Sequence, residues 1–471
     1  MVYSTPAKNN ITNEGVQLLV DNSQLMVEHK NSSTVATKEI FDLEFIYGIE
    51  YDDEILSVHL IEKEKEDTKV IGEAQKTLTN IRPQDVKWHL RTLQFISVTG
   101  DDKQSLSEFA IQFQQEALPH RDELPKTRVI VVLNPTSGLQ LATNYWKTVV
   151  QPMLVMGGFS ESNITKLITE SDGKTRALVQ GVAQELTDHA IIISMGGDGT
   201  LHEIVNGLLD ASPHCRIRLG VIPVGSGNAF ALGLNIENVE QATLKIIQGK
   251  KEEPFYMMDV KLGQSHATAN WQENIEYDDT KQPTRLLVVM SWGFHAQIVS
   301  KSRYLRYFMG NKRFSLVAMF LLKFLQQYPG ELVLKNAMKY NAELERFIDM
   351  EQDVVLNDEF TYFIASKQHS LEKGFKIAPF SSPLKKEMDV VLLRRVDAET
   401  LTTASMGAFQ GGIHVNSEPV EYYKTTDLLL RVKHKAELCL DGEIHDLPAK
   451  GVVHLKVIGS SSTESNFTVF V

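Results

Sequence analysis

The chain has 471 residues, 42% of them hydrophobic and 23% charged, which is ordinary globular composition and excludes a wholly disordered or fibrous protein. It has 48 Lys and Arg against 60 Asp and Glu, and the resulting net charge of −12 argues against a nucleic-acid-binding protein. Two cysteines, Cys215 and Cys439, exclude a disulfide framework and a cysteine-based zinc site, and they are typical of a reducing compartment. The length predicts about three domains.

The first residues, MVYSTPAKNN, lack the apolar core of a secretory signal. The longest apolar stretch covers residues 314–325 (FSLVAMFLLKFL), and its 12 residues are too few to cross a bilayer. We therefore expect no transmembrane segment, a cytoplasmic location and peripheral contact with membranes. A homodimer is one candidate state.

The N-terminal part has the pattern of a small β-rich module. We expect residues 1–14 to form a mobile tail and residues 15–118 to form the module. Leu56, Val58 and Leu60 alternate with polar neighbours, which indicates a half-buried strand. A helix should follow, because the following apolar residues recur at helical spacing: Leu106, Phe109, Ala110, Phe113 and Ala117. Strands closed by one helix predict a pleckstrin-homology-like module, either a packing domain or a ligand-binding one.

A change of pattern follows a polar linker at residues 119–127. In residues 128–254, short apolar runs alternate with helical stretches, which predicts an α/β domain with a largely parallel sheet. Residues 255–471 are β-rich, apart from a helical stretch near 300–327 and a polar insertion at 265–283, which we expect to be a flexible loop.

Small-residue loops follow three of the apolar runs. They are NPTSG (134–138), GGDGT (196–200) and PVGSGNA (223–229). Ligands of parallel α/β sheets bind beyond the carboxyl ends of the strands, and glycines let backbone N–H groups approach a polyanion. Each loop alone is a weak signal, but the three together predict a site for a nucleoside triphosphate.

These motifs, in this order, resemble the diacylglycerol-kinase-type catalytic domain, which diacylglycerol, sphingosine and ceramide kinases share. The downstream motifs SWGFHAQIV, GNKRF and LDGEI are most similar to the sphingosine kinase branch, whereas MDV at 258–260 is similar to ceramide and bacterial lipid kinases. The resemblance covers roughly residues 128–471. It implies a Rossmann-like, phosphofructokinase-like lobe, a C-terminal β-sandwich lobe that binds lipid, and ATP with Mg²⁺ in the cleft between them.

The resemblance also implies roles for individual residues. Asp198 would be the general base that takes the proton of the acceptor hydroxyl. Asp441 would face the nucleotide directly or through Mg²⁺, and Asp259 is either metal-linked or purely structural. The acceptor lipid would contact Trp292, Phe294 and Val299. The nucleotide would contact Asn134, Pro135, Ser137, Gly138, Thr169, Gly196, Gly197, Gly199, Thr200, Glu203, Gly225, Ser226, Gly227, Asn228, Arg306, Arg313, Asp441, Gly442 and Glu443.

Two positions depart from the family pattern. Many members have a Lys after the glycine of the first loop, where this chain has Leu139. Sphingosine kinases have an acid after the WGF motif that holds the substrate amine, and this chain has Val299 or Ser300 there. A buried ammonium without a carboxylate is costly, so the second departure favours a neutral acceptor.

The resemblance nevertheless implies an ATP-dependent lipid kinase that phosphorylates the primary hydroxyl of a sphingoid long-chain base. Ceramide or diacylglycerol is the alternative acceptor. NAD kinase, which shares the GGDGT loop, and a lipid-binding protein with a decayed kinase site are more distant alternatives. We expect His202 to have a helix-packing or hydrogen-bonding role rather than to act in catalysis.

Overall fold

The computed structural model describes residues 2–29, 37–64, 87–99, 102–170, 173–186, 190–213, 215–280, 282–303, 312–460 and 467–471. The strands within these residues form three sheets, so the fold is mixed α/β with several sheets. Within the same ranges, no helix is both long and apolar enough to span a membrane. Arg306, one of the predicted nucleotide contacts, lies outside the described residues.

The first sheet is antiparallel and belongs to the N-terminal part. Its strands are β1 (Tyr3–Asn9), β2 (Gly15–Asp21), β3 (Gln24–His29), β4 (Lys38–Asp42), β5 (Ile46–Asp52), β6 (Ile55–Lys63) and β7 (Trp88–Ile96), in the order β4-β3-β2-β1-β7-β6-β5. Helix α1 (Asp102–Ala117) follows and buries the apolar face that the sequence predicts. The likeness to a pleckstrin homology domain stays a prediction.

The mobile tail predicted for residues 1–14 is wrong. Tyr3–Asn9 is a strand in the interior of the first sheet, paired with β2 on one side and β7 on the other. Ala7 is fully buried, and Thr5 binds Ser105 of α1 with 2.8 Å between the two hydroxyl oxygens. The prediction failed because the two fully buried residues of β1 give no sign of a core strand: Thr5 is polar and Ala7 is small.

The second sheet carries the three glycine loops. Its strands are β8 (Arg128–Leu133), β9 (Ile164–Ile168), β10 (Ala190–Gly196), β11 (Ile217–Pro223), β12 (Glu252–Glu253) and β27 (Phe467–Phe470), in the order β12-β27-β11-β10-β8-β9. All pairs but the β12–β27 pair are parallel, as predicted. The helices of this part are α2 (Ala142–Tyr145), which continues through a π-helical turn (Trp146–Val150) into α3 (Gln151–Gly157), then α4 (Lys174–Gln184), α5 (Asp198–Ala211), α6 (Ala229–Gly233) and α7 (Val239–Gln248).

Strand β27 corrects the predicted boundary after residue 254. It lies between β12 and β11, with Phe467 opposite Ile217, so the nucleotide-binding sheet takes a strand from the far end of the chain. The predicted linker at 119–127 is also more ordered than expected. Residues Arg121–Lys126 form a 3-10 helix whose Leu124 is buried.

The third sheet is an antiparallel network that covers most of the C-terminal half. Its strands are β13 (Tyr256–Gln264), β14 (Glu276–Tyr277), β15 (Thr284–Leu286), β16 (Val289–Gly293), β17 (Tyr328–Lys335), β18 (Met338–Asn341), β19 (Arg346–Asp349), β20 (Val354–Ser366), β21 (Met388–Arg394), β22 (Glu421–Thr425), β23 (Asp427–Val432), β24 (Ala436–Leu440), β25 (Glu443–Leu447) and β26 (Gly451–Gly459). The helices here are α8 (Phe294–Ser302), α9 (Lys312–Leu322) and α10 (Ala398–Phe409). The network has its own apolar core around Trp292, Phe363 and Leu430.

The polar insertion at residues 265–283 is not the flexible loop that the sequence predicts. It contains a 3-10 turn (Trp271–Glu273) and the short strand β14. Trp271 is 5% exposed, and the guanidinium of Arg431 lies 4.8 Å from the centre of its ring. One buried aromatic residue therefore anchors the insertion to the sheet.

The N-terminal sheet packs directly against the α/β part, and both share one hydrophobic core. The side-chain Nε2 of Gln248, at the end of α7, donates to the carbonyls of Leu43 at 3.3 Å, Glu44 at 3.0 Å and Ile46 at 2.9 Å. A Cβ on Gly48 would lie 2.7 Å from the carbonyl oxygen of Met156, so β5 approaches α3 closely. The module is thus joined to the α/β part by buried contacts.

Candidate active site

The three glycine loops meet at one edge of the second sheet. Strands β8, β10 and β11 are parallel and in register, so Leu133, Gly196 and Pro223 end them side by side. The loops then bond to one another. Asn134 Nδ2 donates to Thr200 Oγ1 at 3.0 Å, and the N–H of Asp198 donates to the carbonyl of Gly227 at 3.0 Å. The structure thus brings together the loops that the sequence picks out separately.

Glycines allow this close approach. A Cβ on Gly225 would lie 2.2 Å from the Cα of Gly197, which no real side chain tolerates. Gly138 has φ +56°, in the left-handed region, and a Cβ there would lie 2.6 Å from the carbonyl oxygen of Val224. Gly199 is different: it is exposed, and a Cβ there would meet no atom within 4 Å. Gly199 therefore leaves open space beside the start of α5.

Asp198 is the first residue of α5 and also holds the next helix. Its Oδ2 accepts the N–H of Ala229 at 2.8 Å, and its Oδ1 accepts the N–H of Phe230 at 3.1 Å, both at the start of α6. Burial raises the pKa of Asp198 to about 6, the two N–H donors oppose that rise, and the nearby charge of Asp441 adds to it. Each oxygen accepts one hydrogen bond, which leaves lone pairs on the carboxylate for a proton.

Asp441, in the third sheet, is bound by four donors. Its side chain is 2% exposed. Oδ1 accepts the N–H groups of Val288 at 3.0 Å and Val289 at 2.8 Å; Oδ2 accepts that of Leu287 at 2.7 Å and lies 2.9 Å from His202 Nδ1. A carboxylate offers about four acceptor positions, so these partners fill all of them. Contact of Asp441 with Mg²⁺ or nucleotide stays a prediction and would require one of these bonds to open.

His202 forms a hydrogen bond, as expected, and its partner Asp441 lies in the third sheet. Glu203, the next residue, points to the start of α4. Its Oε1 accepts the N–H of Gly173 at 3.2 Å and its Oε2 accepts that of Arg176 at 3.3 Å. Glu203, which the sequence predicts to contact the nucleotide, therefore accepts hydrogen bonds at the start of α4 in this structure.

Other predicted residues shape the loops themselves. Asn134 Oδ1 accepts the N–H of Thr136 at 3.1 Å, in the turn that contains Pro135 and Ser137. Asn228 folds back on Gly225, with Oδ1 accepting its N–H at 3.0 Å and Nδ2 donating to its carbonyl at 2.7 Å. Asn134, Pro135 and Ser137 belong to the first loop and Ser226 and Asn228 to the third, whereas Thr169 follows β9, with its N–H donating to the carbonyl of Leu133 at 3.0 Å. The hydrogen bonds of Asn134 and Asn228 fix the backbone of their loops.

Several predicted residues lie away from the loops. Asp259 sits on β13 with its Oδ1 3.5 Å from Arg285 Nε, which favours the structural role over a metal-linked one. Glu443, next to Gly442, is exposed and pairs with Arg303 at 3.3 Å. Arg313, at the start of α9, places its guanidinium 4.4 Å from the ring centre of Phe314. Within the described residues, no group of three His, Cys, Asp or Glu side chains is arranged to hold a metal ion.

Within the described residues, the three predicted lipid contacts pack in different surroundings. Trp292 packs in the core of the third sheet against Phe360, with 5.5 Å between ring centres. Phe294 belongs to the hydrophobic core that the N-terminal sheet and the α/β part share. Gly293, with φ +74°, turns the chain from β16 into α8 between Trp292 and Phe294. Val299 is half-buried on α8. The WGF motif thus marks a strand-to-helix turn, and its Trp292 and Phe294 pack in different hydrophobic cores.

Helix α9 exposes apolar side chains. Leu316 is 48% exposed, Met319 66% and Phe320 64%. A cavity of about 490 Å³ lies beside them, lined by Lys301, Leu316, Val317, Phe320 and Leu321. Helix α9 is therefore only partly buried, with Val317 on its buried side.

Asn206 on α5, which no sequence motif singled out, is fully buried and uses both amide atoms on the backbone of Arg285. Its spacing is a usable signal, because it lies eight residues after Asp198 and four after His202, on one helix face. The backbone at 287–289 holds Asp441, and no side-chain pattern reveals this contact.

Known proteins resemble this chain in sequence. Residues 128–260 match the family model of the diacylglycerol kinase catalytic domain. The Diacylglycerol kinase of Bacillus subtilis (strain 168) is 28% identical over 321 residues, 67% of this chain and 89% of the relative. Sphingosine kinase 1 of Homo sapiens is 32% identical over 220 residues, and the match spans about half of that relative, 53% of its length.

Among solved structures, a Bacillus anthracis str. Sterne protein described as a diacylglycerol kinase matches with a TM-score of 0.51 over 73% of this chain and 94% of that one. The identity there is 15%, so that match bears on the fold alone. The sequence matches confirm the predicted resemblance. Residues 128–260 carry the match to the diacylglycerol kinase catalytic domain, and the chain is similar to diacylglycerol and sphingosine kinases, which supports a phosphotransferase with an alcohol group as acceptor.

Proposed function

We propose that this chain transfers the γ-phosphoryl group of ATP to the primary hydroxyl of a lipid, with Asp198 as the general base. One observation carries the proposal: three glycine loops at the ends of parallel strands converge on Asp198, at the N-terminal end of α5. A helix N-terminus and glycine-rich turns favour bound phosphate. A carboxylate at the same place supplies the proton acceptor that an alcohol nucleophile needs.

ATP and Asp198 supply every group that the proposed phosphoryl transfer needs. The acceptor oxygen bonds to the γ-phosphorus while the bond from that phosphorus to the bridging oxygen breaks, and ADP keeps the electron pair of the broken bond. The hydroxyl proton passes to the carboxylate of Asp198. A pKa of about 6 keeps Asp198 mostly ionised at neutral pH yet makes it a better proton acceptor than an ordinary aspartate.

Mg²⁺ in this proposal is held mainly by the phosphates of the nucleotide. Magnesium usually keeps several waters and takes one or two carboxylates besides substrate phosphates. Asp198 has free lone pairs for such a contact, whereas the four acceptor positions of Asp441 are filled. When bound, the ion would neutralise charge that develops on the transferring phosphoryl group.

For the acceptor we propose a sphingoid long-chain base, phosphorylated to its 1-phosphate. The sequence similarity to the sphingosine kinases of several species supports it. The exposed apolar face of α9 and its adjoining cavity offer a place for a long hydrocarbon chain to enter from a membrane surface. We likewise propose that the protein works in the cytoplasm and contacts membranes peripherally.

A neutral lipid, such as ceramide or diacylglycerol, is the second candidate acceptor. The specific observation in its favour is the position after the WGF motif, where the half-buried Val299 stands in place of an acid. Lys301, two residues on, lines the cavity beside α9 and would repel an ammonium group. The similarity to a bacterial diacylglycerol kinase over 89% of its length points the same way.

The decisive experiment is a transfer assay with labelled ATP and Mg²⁺. Sphinganine, ceramide and diacylglycerol are supplied separately in detergent micelles, and NAD is a control acceptor. Label on one lipid, lost in the Asp198→Asn variant, supports the proposal and identifies the acceptor. Label on NAD alone would assign the site to the rival enzyme class, and no label on any acceptor would contradict the proposed function.

A further inference from the structure

Residues 285–289 lie where the helix that begins with Asp198 meets the third sheet. They include the end of β15 and the start of β16. Three buried polar side chains, each from a different element, bind the backbone of this segment. They are Asn206 on α5, Gln368 after β20 and Asp441 after β24. Asn206 and Gln368 are both fully buried.

Asn206 binds the segment with both atoms of its amide. Oδ1 accepts the N–H of Arg285 at 2.9 Å, and Nδ2 donates to the carbonyl of the same residue at 3.0 Å. The side chain thus pairs with Arg285 much as a neighbouring strand would. Two residues farther on, the N–H of Leu287 begins the set of three that holds Asp441. Asn206 therefore fixes the position of this set relative to α5.

The face of α5 that carries Asn206 also carries the proposed base and two further side chains that form polar contacts. Asp198, His202, Asn206 and Asp210 follow one another at intervals of four residues, so their side chains lie along one face of the helix. His202 reaches Asp441, and Asp210 Oδ1 lies 3.6 Å from Arg285 Nη1, on β15 of the third sheet. The contact between α5 and the third sheet is therefore largely polar, and the base sits at one end of it.

A second route joins Asp198 to the same segment. Gln368 Nε2 donates to the carbonyl of Leu287 at 2.7 Å. The other side of this amide packs on Gly233, where a Cβ would lie 1.9 Å from Gln368 Oε1. Gly233 ends α6, the short helix whose first N–H groups bind the carboxylate of Asp198. Asp198 is thus tied to residues 285–289 both through α5 and through α6.

We propose that Asn206 is a positioning residue for phosphoryl transfer: by clamping Arg285 to α5, it sets where Asp441 and the third sheet stand relative to Asp198. The inference rests on the proposed role of Asp198 as base. The nucleotide loops lie at the other end of the helix, so loss of the clamp should disturb the geometry between Asp198 and the third sheet more than it weakens nucleotide binding. A displacement of about 1 Å is enough to slow an enzyme about a hundredfold.

The test compares Asn206→Ser with Asp210→Asn. The control variant lies on the same helix face and weakens side-chain ion pairs, but it leaves the backbone clamp on Arg285 in place. In Asn206→Ser we expect kcat to fall about tenfold or more, with the nucleotide Kd within about twofold of wild type. Asp210→Asn should keep kcat within about twofold of wild type even where its Tm falls.

Amide hydrogen exchange gives a readout that needs no lipid. In Asn206→Ser, peptides that contain residues 287–289 and 229–230 should both exchange faster than in wild type, and in Asp210→Asn they should not. Asn206→Asp keeps the acceptor for the Arg285 N–H but loses the donor, so its exchange rates should lie between those of Asn206→Ser and Asp210→Asn. It replaces Asn206→Ser in the test if that variant does not fold. Unchanged exchange at both places in the folded Asn206 variant would overturn the proposal, as would equal losses of kcat in the Asn206 and Asp210 variants. If wild type labels no acceptor, the proposed kinase function fails. The exchange result still decides whether Asn206 holds residues 287–289 in place.

Discussion

His202 and Asp441 are 239 positions apart in sequence, yet His202 Nδ1 lies 2.9 Å from Asp441 Oδ2 and joins the glycine-loop helix to the third sheet. The same carboxylate accepts three consecutive N–H groups from Leu287, Val288 and Val289. The charge of this buried group helps to raise the pKa of Asp198. The aspartate of the LDGEI motif therefore acts on the site electrostatically even without touching a ligand.

Replacement of the base tests the central assignment. Asp198→Asn should lower kcat about a hundredfold or more, because an amide cannot accept the hydroxyl proton, while the protein stays folded. The measurement is initial-rate transfer to whichever lipid wild type labels. Asp397→Asn is the matched control: Asp397 caps α10 through the Thr400 N–H at 2.9 Å, and Asn caps helices equally well. Wild-type activity in Asp198→Asn would remove the base assignment.

A charge placed in the open space beside the loops should repel the nucleotide. Gly199→Asp adds a carboxylate where no atom lies within 4 Å, and an acid in the first turn of α5 does not harm the helix. We expect the Kd for ATP to rise about tenfold or more through repulsion between like charges, with Tm unchanged. Gly199→Asn, of equal size and no charge, is the control for bulk. Equal ATP affinity in both variants and wild type would contradict the loop model.

The pKa of Asp198 predicts the acid limb of the pH profile. The base works only when ionised, so kcat/KM should fall about tenfold for each pH unit below about 6 and reach a plateau above it. Since the folded pKa is raised, ionisation costs stability. Wild type should therefore lose stability relative to Asp198→Asn as pH rises from the unfolded value near 3.8 through about 6. Denaturant midpoints at pH 4.5 and 7.5 measure this, and a midpoint difference that does not change with pH would contradict it.

The contact between the N-terminal sheet and α7 should contribute to global stability. Gln248→Leu leaves the carbonyls of Leu43, Glu44 and Ile46 without their shared donor, which should lower the free energy of unfolding by about 2 kcal/mol. Gln241→Leu, on the same helix, loses only bonds near the helix start and is the control. If urea unfolding shows equal losses for the two variants, the buried contact is not what holds the module.

Local patterns predicted the parts of this fold that depend on nearby residues. The runs that became β8, β10 and β11 were recognisable because strands buried on both faces are continuously apolar. The convergence of their loops then followed from the common edge of a parallel sheet. By contrast, the pairing of β27 with β11 joins Phe467 to Ile217, and no local signal encodes a partner at that separation. The bonds of Asp441 were equally hidden, because their donors are backbone groups.

Strand β27 has a consequence for how the protein is made. Its four residues are buried and separate β12 from β11, so the nucleotide-binding sheet is interrupted until residues 467–470 have been synthesised. Residues 128–260, though they contain the three loops, are therefore not enough to complete the sheet, because the strand that fills its gap lies some two hundred residues later in the sequence. Until that strand pairs, the edge of β11 presents unpaired backbone groups to which other strands can bind.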